Sequence, residues 1–277
     1  MKTELAVANR MPEGFVKDTL VCHSLKAIMK AYIDIDIDSS SKYARLLIAR
    51  SERRGLDGFL VYAYQYAGYI YQVQGDYHQS IRYHYKALPV AERLKQYSKM
   101  AASYGWLAHA YTSLKDFNRA AKFCERGLNV LSRYPDSYVQ SSILNVQGAI
   151  YRQQGKLKQA LEVNQSLYRI AKRDHHSWYE AQGLHAIGWV YKEMNDMPKA
   201  LDYFTQALAL ARKTGSFDLE GSILLNIGNL YFAQNKWKEA LFYCSTAQEA
   251  ARRVGDSSIE MEAFELLYKI FRQTNKP

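Results

Sequence analysis

Few side chains in this sequence stand at a spacing that could support catalysis or metal binding. Asp34, Asp36 and Asp38 alternate along the chain as the first ligands of a calcium-binding loop do. Such a loop also needs glycine at its sixth position and glutamate at its twelfth, where this chain has Ser39 and Arg45. We therefore interpret the three aspartates as part of a polar turn between two helices.

Two other short motifs are equally weak. Ser39 and Lys42 have the spacing of a serine acylase motif, but its companion motifs are absent from the sequence. His175 and His176 are adjacent, and an exposed turn explains them better than a metal site, because the sequence has no closely spaced set of Cys and His. A glycine-rich phosphate loop and a nucleophile elbow are also missing. The sequence therefore predicts no catalytic residue, no metal site and no cofactor.

The composition favours long helices. Of the 277 residues, 48% are hydrophobic and 23% are charged, as in a soluble chain that folds around a core. The 15 glycines and 5 prolines are few; they make up roughly 7% of the chain, against about 12% on average, which argues against many short strands. The uncharged stretch 58–75 is rich in tyrosine and glutamine, so we interpret it as a helix of a soluble protein and not as a membrane span.

A repeat of 40 residues organises the chain. A small residue recurs at this spacing, a tyrosine follows it by three residues, and a second small residue follows it by twelve. A glycine inside a helix costs about 0.5–1 kcal/mol relative to alanine, so its repetition predicts that a facing helix approaches closely. The first of the three positions is occupied by Gly68, Ala108, Gly148, Gly188 and Gly228.

Each repeat is predicted to form a hairpin of two helices. Within 181–220, apolar residues keep a three-and-four spacing up to Tyr191, and a second amphipathic pattern starts at Ala200. Asn195 interrupts the pattern between them. The equivalent turn residue is glycine or asparagine in four repeats, and both accept a left-handed backbone. Lys115 is the exception.

The cysteines are too few for a disulfide framework. Cys124 and Cys244 occupy the repeat position of Phe204, on the face of the second helix that points to the core. They lie three repeats apart and cannot meet, since packed helices are about 8–10 Å apart. We interpret them as small buried apolar residues.

The repeat resembles the tetratricopeptide repeat (TPR). The resemblance is clearest where Leu184 to Tyr191 (LHAIGWVY) precedes Ala200 to Ala207 (ALDYFTQA), and it recurs in the following repeat. The spacing of 40 differs from the usual 34, and the usual proline near the end of the second helix is missing. The resemblance implies an all-α fold, a right-handed superhelical solenoid of antiparallel helix hairpins that forms a TPR array of about six hairpins.

The expected domain organisation has four parts. Residues 1–16 are an N-terminal extension, and 17–60 are a degenerate leading hairpin with Ala27, Ala31, Ala44 and Leu47 facing inward. Residues 261–277 are either a capping helix or a truncated sixth unit, which favours a portion of a longer protein. The five TPR units between them are 61–100, 101–140, 141–180, 181–220 and 221–260.

In TPR arrays, the first helices of the hairpins line a groove that takes up an extended peptide or a partner helix. The resemblance implies such a peptide-binding groove here, for a polar to acidic segment. Trp189 and Tyr69 would be its apolar anchors, and Arg152 and Lys192 would hold carboxylates. The implied groove positions, in which the asparagines would bond the peptide backbone, are Tyr62, Gln65, Tyr69, Gln72, His109, Asn145, Arg152, His185, Trp189, Lys192, Asn229 and Phe232.

The formal net charge of +10 raises nucleic acid as an alternative partner. Many of the cations recur in the last turn of a second helix, where a positive charge gains about 0.3–1 kcal/mol from unpaired carbonyl groups. This stabilisation is the favoured explanation, and nucleic acid is disfavoured as a partner. The cations concerned are Arg53, Arg93, Arg133, Lys172, Arg173, Arg212, Lys213, Arg252 and Arg253.

These features favour a non-enzymatic scaffold that binds proteins or peptides. Uninterrupted TPR units at this spacing resemble the sensory or regulatory modules of larger signalling proteins such as histidine kinases, and also G-protein-regulator scaffolds. The alternatives are a stand-alone adaptor that self-associates through its terminal helices, and a binder of nucleic acid or another anionic partner through the basic helix ends. Without a signal peptide, we expect a cytoplasmic chain, or an extracytoplasmic one if it is an excised sensor domain.

Overall fold

The computed structural model describes residues 2–33 and 35–274, and the regular structure within these two ranges is entirely α-helical. The all-α prediction is therefore confirmed. The helices are α1 (Lys2–Arg10), α2 (Phe15–Tyr32), α3 (Ile37–Arg54), α4 (Asp57–Val73), α5 (Tyr77–Arg93), α6 (Tyr97–Ser113), α7 (Phe117–Arg133), α8 (Ser137–Gln153), α9 (Leu157–Arg173), α10 (Ser177–Glu193), α11 (Met197–Thr214), α12 (Phe217–Ala233), α13 (Trp237–Val254) and α14 (Ser257–Thr274).

Helices that are neighbours in sequence pack against each other as hairpins. Contacts join α2 to α3, α4 to α5, α6 to α7, α10 to α11 and α12 to α13. We call α4, α6, α8, α10 and α12 the first helices, and α5, α7, α9, α11 and α13 the second helices. The chain divides into two compact units, an N-terminal unit that ends at Val146 and a C-terminal unit that begins at Gln147.

The turns inside the hairpins use a left-handed residue at every repeat. Lys115 has a φ angle of 59°, close to the 62° of Asn195. Lys115 is therefore no exception in conformation, although a residue with a Cβ atom adopts it at a cost. One residue further on, the amide donates a hydrogen bond to the carbonyl five positions back, as Asp116 does to Tyr111 at 2.9 Å. This bond ends each first helix and reverses the chain.

The turns between hairpins also contain a residue with a left-handed backbone, at a spacing of 40 residues, with one exception. The exception is Pro135, whose ring holds φ near −65°. His175 lies in one of these turns and is exposed, as predicted. The residues with positive φ in this series are Gly55, Lys95, His175, Gly215 and Gly255.

The alternating aspartates lie at the start of α3. The Asp36 carboxylate accepts hydrogen bonds from the amides of Asp38 and Ser39, both at 3.1 Å, and from the Ser39 hydroxyl at 2.6 Å. Asp36 is thus the N-cap residue of α3. The prediction of a polar turn is confirmed for Asp36, whereas Asp34 lies outside the described residues.

The helices of a hairpin approach most closely at the repeated glycine. A Cβ atom added to Gly188 would lie 2.6 Å from the ring of Phe204, and one added to Gly228 would lie 2.6 Å from the sulfur of Cys244. Both distances are far inside ordinary carbon contact. The predicted close approach is therefore confirmed, and it recurs in the pairs Gly68–His84 and Gly148–Asn164.

The cysteines at this position are buried, as predicted. Cys124 and Cys244 are both 0% exposed. Burial raises the pKa of each thiol to about 12. The two residues therefore stay protonated at neutral pH and act as small apolar groups.

His84 occupies the same position in the first repeat. Its side chain is 0% exposed, and neither ring nitrogen has a hydrogen-bond partner among the described residues. The ring lies parallel to that of Trp106, with 6.1 Å between the centroids. Burial lowers the pKa of His84 to about 3. His84 is therefore a neutral, space-filling residue.

The leading hairpin is formed by α2 and α3, but its buried face differs from the predicted one. Ala44 and Leu47 of α3 are buried, as expected. Ala27 and Ala31 are exposed, so the prediction was wrong for α2. The apolar set that α2 buries is larger in volume and lies on a neighbouring face: Val21, Cys22, Leu25, Ile28 and Met29.

Gly188→Ala should destabilise the protein because the added methyl group overlaps Phe204, which is fully buried and cannot move aside. Overpacking of this kind costs roughly 1–3 kcal/mol. Urea unfolding followed by far-UV circular dichroism measures the change. Gly58→Ala is the matched control, because Gly58 lies in α4 with no atom within 4 Å of an added Cβ. Equal midpoints for the two variants would contradict the close-approach explanation.

His84→Phe should make the fold less sensitive to acid. The pKa of His84 is about 3 when folded, against 6.5 for an ordinary histidine, so below pH 6.5 the unfolded chain binds one more proton. Stability from this group is present above about pH 6.5 and is lost progressively as the pH falls toward 3, by about 1.4 kcal/mol per pH unit. Phenylalanine lacks that proton site. Urea unfolding at pH 7 and pH 5 should show a smaller loss for the variant than for the parent, and equal losses would refute this account.

Candidate functional site

An aromatic pocket lies on the first helices of the N-terminal unit. Tyr69 of α4 meets Trp106 of α6 edge to face, with 5.3 Å between the ring centroids. The two rings form part of a cavity of about 340 Å³ that opens to solvent. Its wall is completed by Lys30, Ile33, Gln65, Tyr66 and Ala102. The structure thus brings together Gln65 and Tyr69 from the predicted groove, and adds residues that were not predicted.

Hydrogen bonds and cations organise the surroundings of this pocket. The Gln65 amide nitrogen donates to the Lys99 carbonyl at 2.6 Å and to the Ser103 hydroxyl at 2.9 Å, which ties α4 to α6. Tyr62 stacks on Tyr66, and the Lys26 ammonium lies 4.1 Å from the Tyr62 ring centre. Burial raises the pKa of Tyr62 and lowers that of Lys99, whose charge is also disfavoured by Lys26. The pocket is therefore apolar inside and positively charged at its margin.

Gln72 and His109 lie further along the same two helices. The Gln72 amide nitrogen lies 2.5 Å from His109 Nδ1. The Ser80 hydroxyl donates a hydrogen bond to the side-chain carbonyl oxygen of Gln72 at 3.1 Å. Gln72 is 8% exposed, so its predicted place on an open groove is wrong. Its amide links two first helices instead. His109 is exposed, although the surrounding protein lowers its pKa.

A cationic cluster lies on the first helices of the C-terminal unit. Two cations lie against the Trp189 ring, since the Lys192 ammonium lies 4.1 Å and the Arg152 guanidinium 5.1 Å from its centre. Arg152 also pairs with Glu193 at 2.7 Å, and this ion pair joins α8 to α10. Burial lowers the pKa of Lys192. Arg152 was predicted to hold a carboxylate of a ligand. In the structure it holds the carboxylate of Glu193 from the chain itself.

His185 is the clearest correction to the predicted groove. The side chain is buried, with 7% exposure, and its Nε2 lies 2.9 Å from the amide nitrogen of Asn226. Burial, together with the smaller effect of the nearby charges of Arg152 and Lys192, lowers the pKa of His185 to about 4. The repeat register placed His185 on the first-helix surface, but the neighbouring first helix α12 covers it. His185 and Asn226 are a buried polar link between α10 and α12.

The remaining predicted positions are half-buried. The Asn229 amide donates to the Leu225 carbonyl of its own helix at 3.0 Å, so part of its bonding capacity is already used. Phe232 meets Trp237 edge to face, with 5.3 Å between the centroids. Asn145 lies in α8, near the end of the N-terminal unit.

The pocket residues that were not predicted carry a recognisable signal. Tyr66 and Trp106 are 40 residues apart and share one repeat position, which is adjacent to a predicted position. An aromatic residue repeated at this spacing on a first helix could have indicated them. Lys30 and Ile33 have no such signal, because they come from the degenerate leading hairpin.

The basic helix ends are largely neutralised within the chain. Arg212 pairs with the buried Glu220 at 2.7 Å, and Arg93 pairs with Asp57 at 2.6 Å. Each of these bonds joins the end of a second helix to the start of a first helix in the same unit. The prediction that these cations lie in last turns is confirmed. Arg173, Arg252 and Arg253 also lie within 4 Å of a carboxylate.

Neither a metal site nor a membrane-spanning helix is present within the described residues, 2–33 and 35–274. Within these ranges, three or more His, Cys, Asp or Glu side chains do not come together in a way that could hold a metal ion. Likewise, none of the helices described is both long enough and apolar enough to cross a membrane.

Models of the tetratricopeptide repeat match two segments of the chain, residues 99–173 and residues 184–216. Together they include hairpins of both units. These two segments are thus tetratricopeptide repeats, as the motifs indicated. No curated protein matches it significantly in sequence.

Several solved structures share the fold. A signal transduction ATPase with a TPR sensor, from Pyrococcus horikoshii, superposes with a TM-score of 0.70 at 15% identity, over 98% of this chain and 43% of that one. A Rap protein complexed with competence and sporulation factor has a TM-score of 0.74 at 14% identity, over 96% and 79%. NprR in complex with its cognate peptide NprX has a TM-score of 0.73 at 15% identity, over 99% of this chain and 79% of that one. This chain spans less than half the length of the ATPase, and identities this low show the fold alone.

Asn226→Ala should destabilise the protein by roughly 1–3 kcal/mol, because it leaves the buried His185 ring without its partner. Asn229→Ala is the matched control. Within the described residues its amide bonds a carbonyl of its own helix, so we expect a change of less than about 0.5 kcal/mol. Urea unfolding at pH 7 compares the two. A larger loss for Asn229→Ala would show that the buried link is not important for stability.

Proposed function

We propose that this chain is a non-enzymatic binding module that recognises peptide segments through its first helices. The observation that carries the proposal is the aromatic pocket between Tyr69 and Trp106, because it opens to solvent and lies at predicted groove positions. Large aromatic side chains anchor protein interfaces when a partner excludes water from them. A pocket of this size accommodates one large apolar side chain.

The positive charge around the pocket determines which ligand residues can lie beside the apolar anchor. Lys26 and Lys30 lie at or near its margin, and Lys99 is held where burial disfavours its positive charge. A carboxylate close to Lys99 would stabilise its charged form and gain a charge-assisted hydrogen bond. The favoured ligand is therefore a peptide with a large apolar residue beside acidic residues.

The cationic cluster is a second recognition site, for a carboxylate alone. Arg152 and Lys192 lie close to Trp189, and Arg152 forms an ion pair with Glu193. A ligand carboxylate would exchange with Glu193, since arginine presents several donors and can hold a carboxylate by two bonds. The cost of displacing Glu193 would make this site selective for well-placed acidic groups.

We further propose that the chain is a sensory or regulatory module of a larger signalling protein. The similar structures support this role. One is a signal transduction ATPase with a TPR sensor, and two are TPR-like proteins in complex with competence and sporulation factor and with the peptide NprX. The basic helix ends give less support to nucleic acid, because many of those cations are already paired with carboxylates.

A random-peptide library displayed on phage, selected on the immobilised chain, should yield sequences with a large apolar residue beside acidic residues. Trp106→Ala should weaken binding of a synthetic selected peptide by at least about 2 kcal/mol, roughly thirtyfold, in fluorescence anisotropy. Phe242→Ala, which removes an exposed aromatic of α13, is the control and should leave the affinity unchanged.

Two double variants separate the first-helix faces from the basic helix ends. Trp189→Ala with Arg152→Gln should reduce binding of acidic peptides, whereas Arg212→Gln with Arg252→Gln should have little effect once circular dichroism shows equal helicity. The proposal would be wrong if no peptide is enriched, or if binding survives the first-helix variants and is lost in the helix-end variant with the steep salt dependence typical of nucleic acid.

A further inference from the structure

The last helix of the described chain leaves an apolar stripe uncovered. Met261, Phe264, Tyr268 and Phe271 of α14 are between 50% and 64% exposed, and they follow one another at intervals of three and four residues. The opposite side of α14 is buried through Ala263, Leu266, Leu267 and Ile270, and α14 packs on α12 and α13. A contiguous exposed apolar patch of this kind usually marks an interaction surface. The exposed stripe on α14 therefore requires an explanation.

The repeat register shows what kind of surface this is. The four stripe residues lie 40 positions after Gly221, Leu224, Gly228 and Tyr231 of α12. In α12 this face receives the second helix α13: Gly228 lies against Cys244, and Tyr231 stacks on Tyr243 with 5.4 Å between the centroids. The stripe is thus a helix-binding face, but Tyr268 replaces the glycine. A partner helix there must pack against large side chains, at a greater distance than α13 does.

Charges beside the stripe point to one partner, a second copy of α14. Glu262 and Glu265 lie in the first half of the helix, and Lys269 and Arg272 lie in the second half; all four are exposed. At 100° per residue, they share one flank of the stripe. In an antiparallel pair of identical helices, this flank meets itself, so Glu265 faces Lys269 of the other copy and Glu262 faces Arg272. The same alignment places Phe264 against Tyr268 of the other copy, and Met261 against Phe271 of the other copy, with an offset of one residue along the helix.

We propose that the α14 stripe is a self-association surface on which two copies of this chain pair antiparallel. The surface is self-complementary in shape and charge, as a two-fold interface requires. Methionine and aromatic residues are enriched in protein interfaces, which fits this composition. Two helices of 18 residues provide an interface at or below the low end of the stable range, about 1,200 Å² in total. We therefore expect reversible dimerisation in the micromolar range.

Sedimentation velocity across the micromolar range tests the proposal on the full chain. The parent should shift from monomer to dimer with concentration, and Phe264→Glu should remain monomeric. Phe242→Glu is the matched control, because Phe242 is 64% exposed on α13 and lies outside the stripe. It should dimerise like the parent. A monomeric parent at all concentrations, or a dimer that persists in Phe264→Glu, would overturn the proposal.

Charge variants test the antiparallel alignment. Glu265→Lys and Lys269→Glu should each weaken self-association roughly tenfold, since each brings like charges together twice in the pair. An equimolar mixture of the two variants should restore dimerisation, because every facing pair is then opposite in charge. Pairing of residues 265 and 269 within one helix cannot produce this restoration, since each variant carries two like charges in its own helix. A mixture that stays as weak as its components would refute the antiparallel pairing with a second copy.

Discussion

The fold depends on one close contact that recurs in four of the five repeats. At one glycine position of the first helix, the second helix lies so near that an added methyl group would overlap a side chain of the second helix. This holds in the same four repeats. The facing side chain varies widely, from cysteine to asparagine, histidine and phenylalanine. Glycine accommodates all four, and the single alanine, Ala108, occurs in the repeat whose facing residue is the small Cys124. The constraint thus falls on the separation of the helices and not on the identity of the buried group.

This tolerance explains the polar residues in the core. His84 and Asn164 are buried with ring nitrogens or an amide oxygen that lack partners within the described residues. An unsatisfied buried polar atom costs roughly 1–3 kcal/mol. A repeat protein distributes such costs, because each hairpin is stabilised mainly by its neighbours.

The surface chemistry follows from which faces the hairpins leave uncovered. The first helices present aromatic and cationic side chains that already contact each other. Trp189 lies close to two cations, and Tyr69 packs against Trp106. Several cations at the second-helix ends are paired with carboxylates of neighbouring helices, as Arg212 is with Glu220 and Arg93 with Asp57. The net charge of +10 therefore overstates the charge available to a partner at those helix ends.

The 40-residue spacing alone determined the hairpins, their turns and the glycine contact, because these depend on residues close in sequence and on a helical period. It also placed Tyr69, Trp189 and Arg152 on the correct helices. It could not decide that Gln72 and His185 would be covered, since both are buried by a neighbouring first helix some 40 residues away. It also could not find Lys30 and Ile33, which a degenerate hairpin brings to the pocket. Periodicity assigns a side chain to a face of its own helix, whereas the exposure of that face is decided by the volume and position of the neighbouring helices, which only the tertiary structure determines.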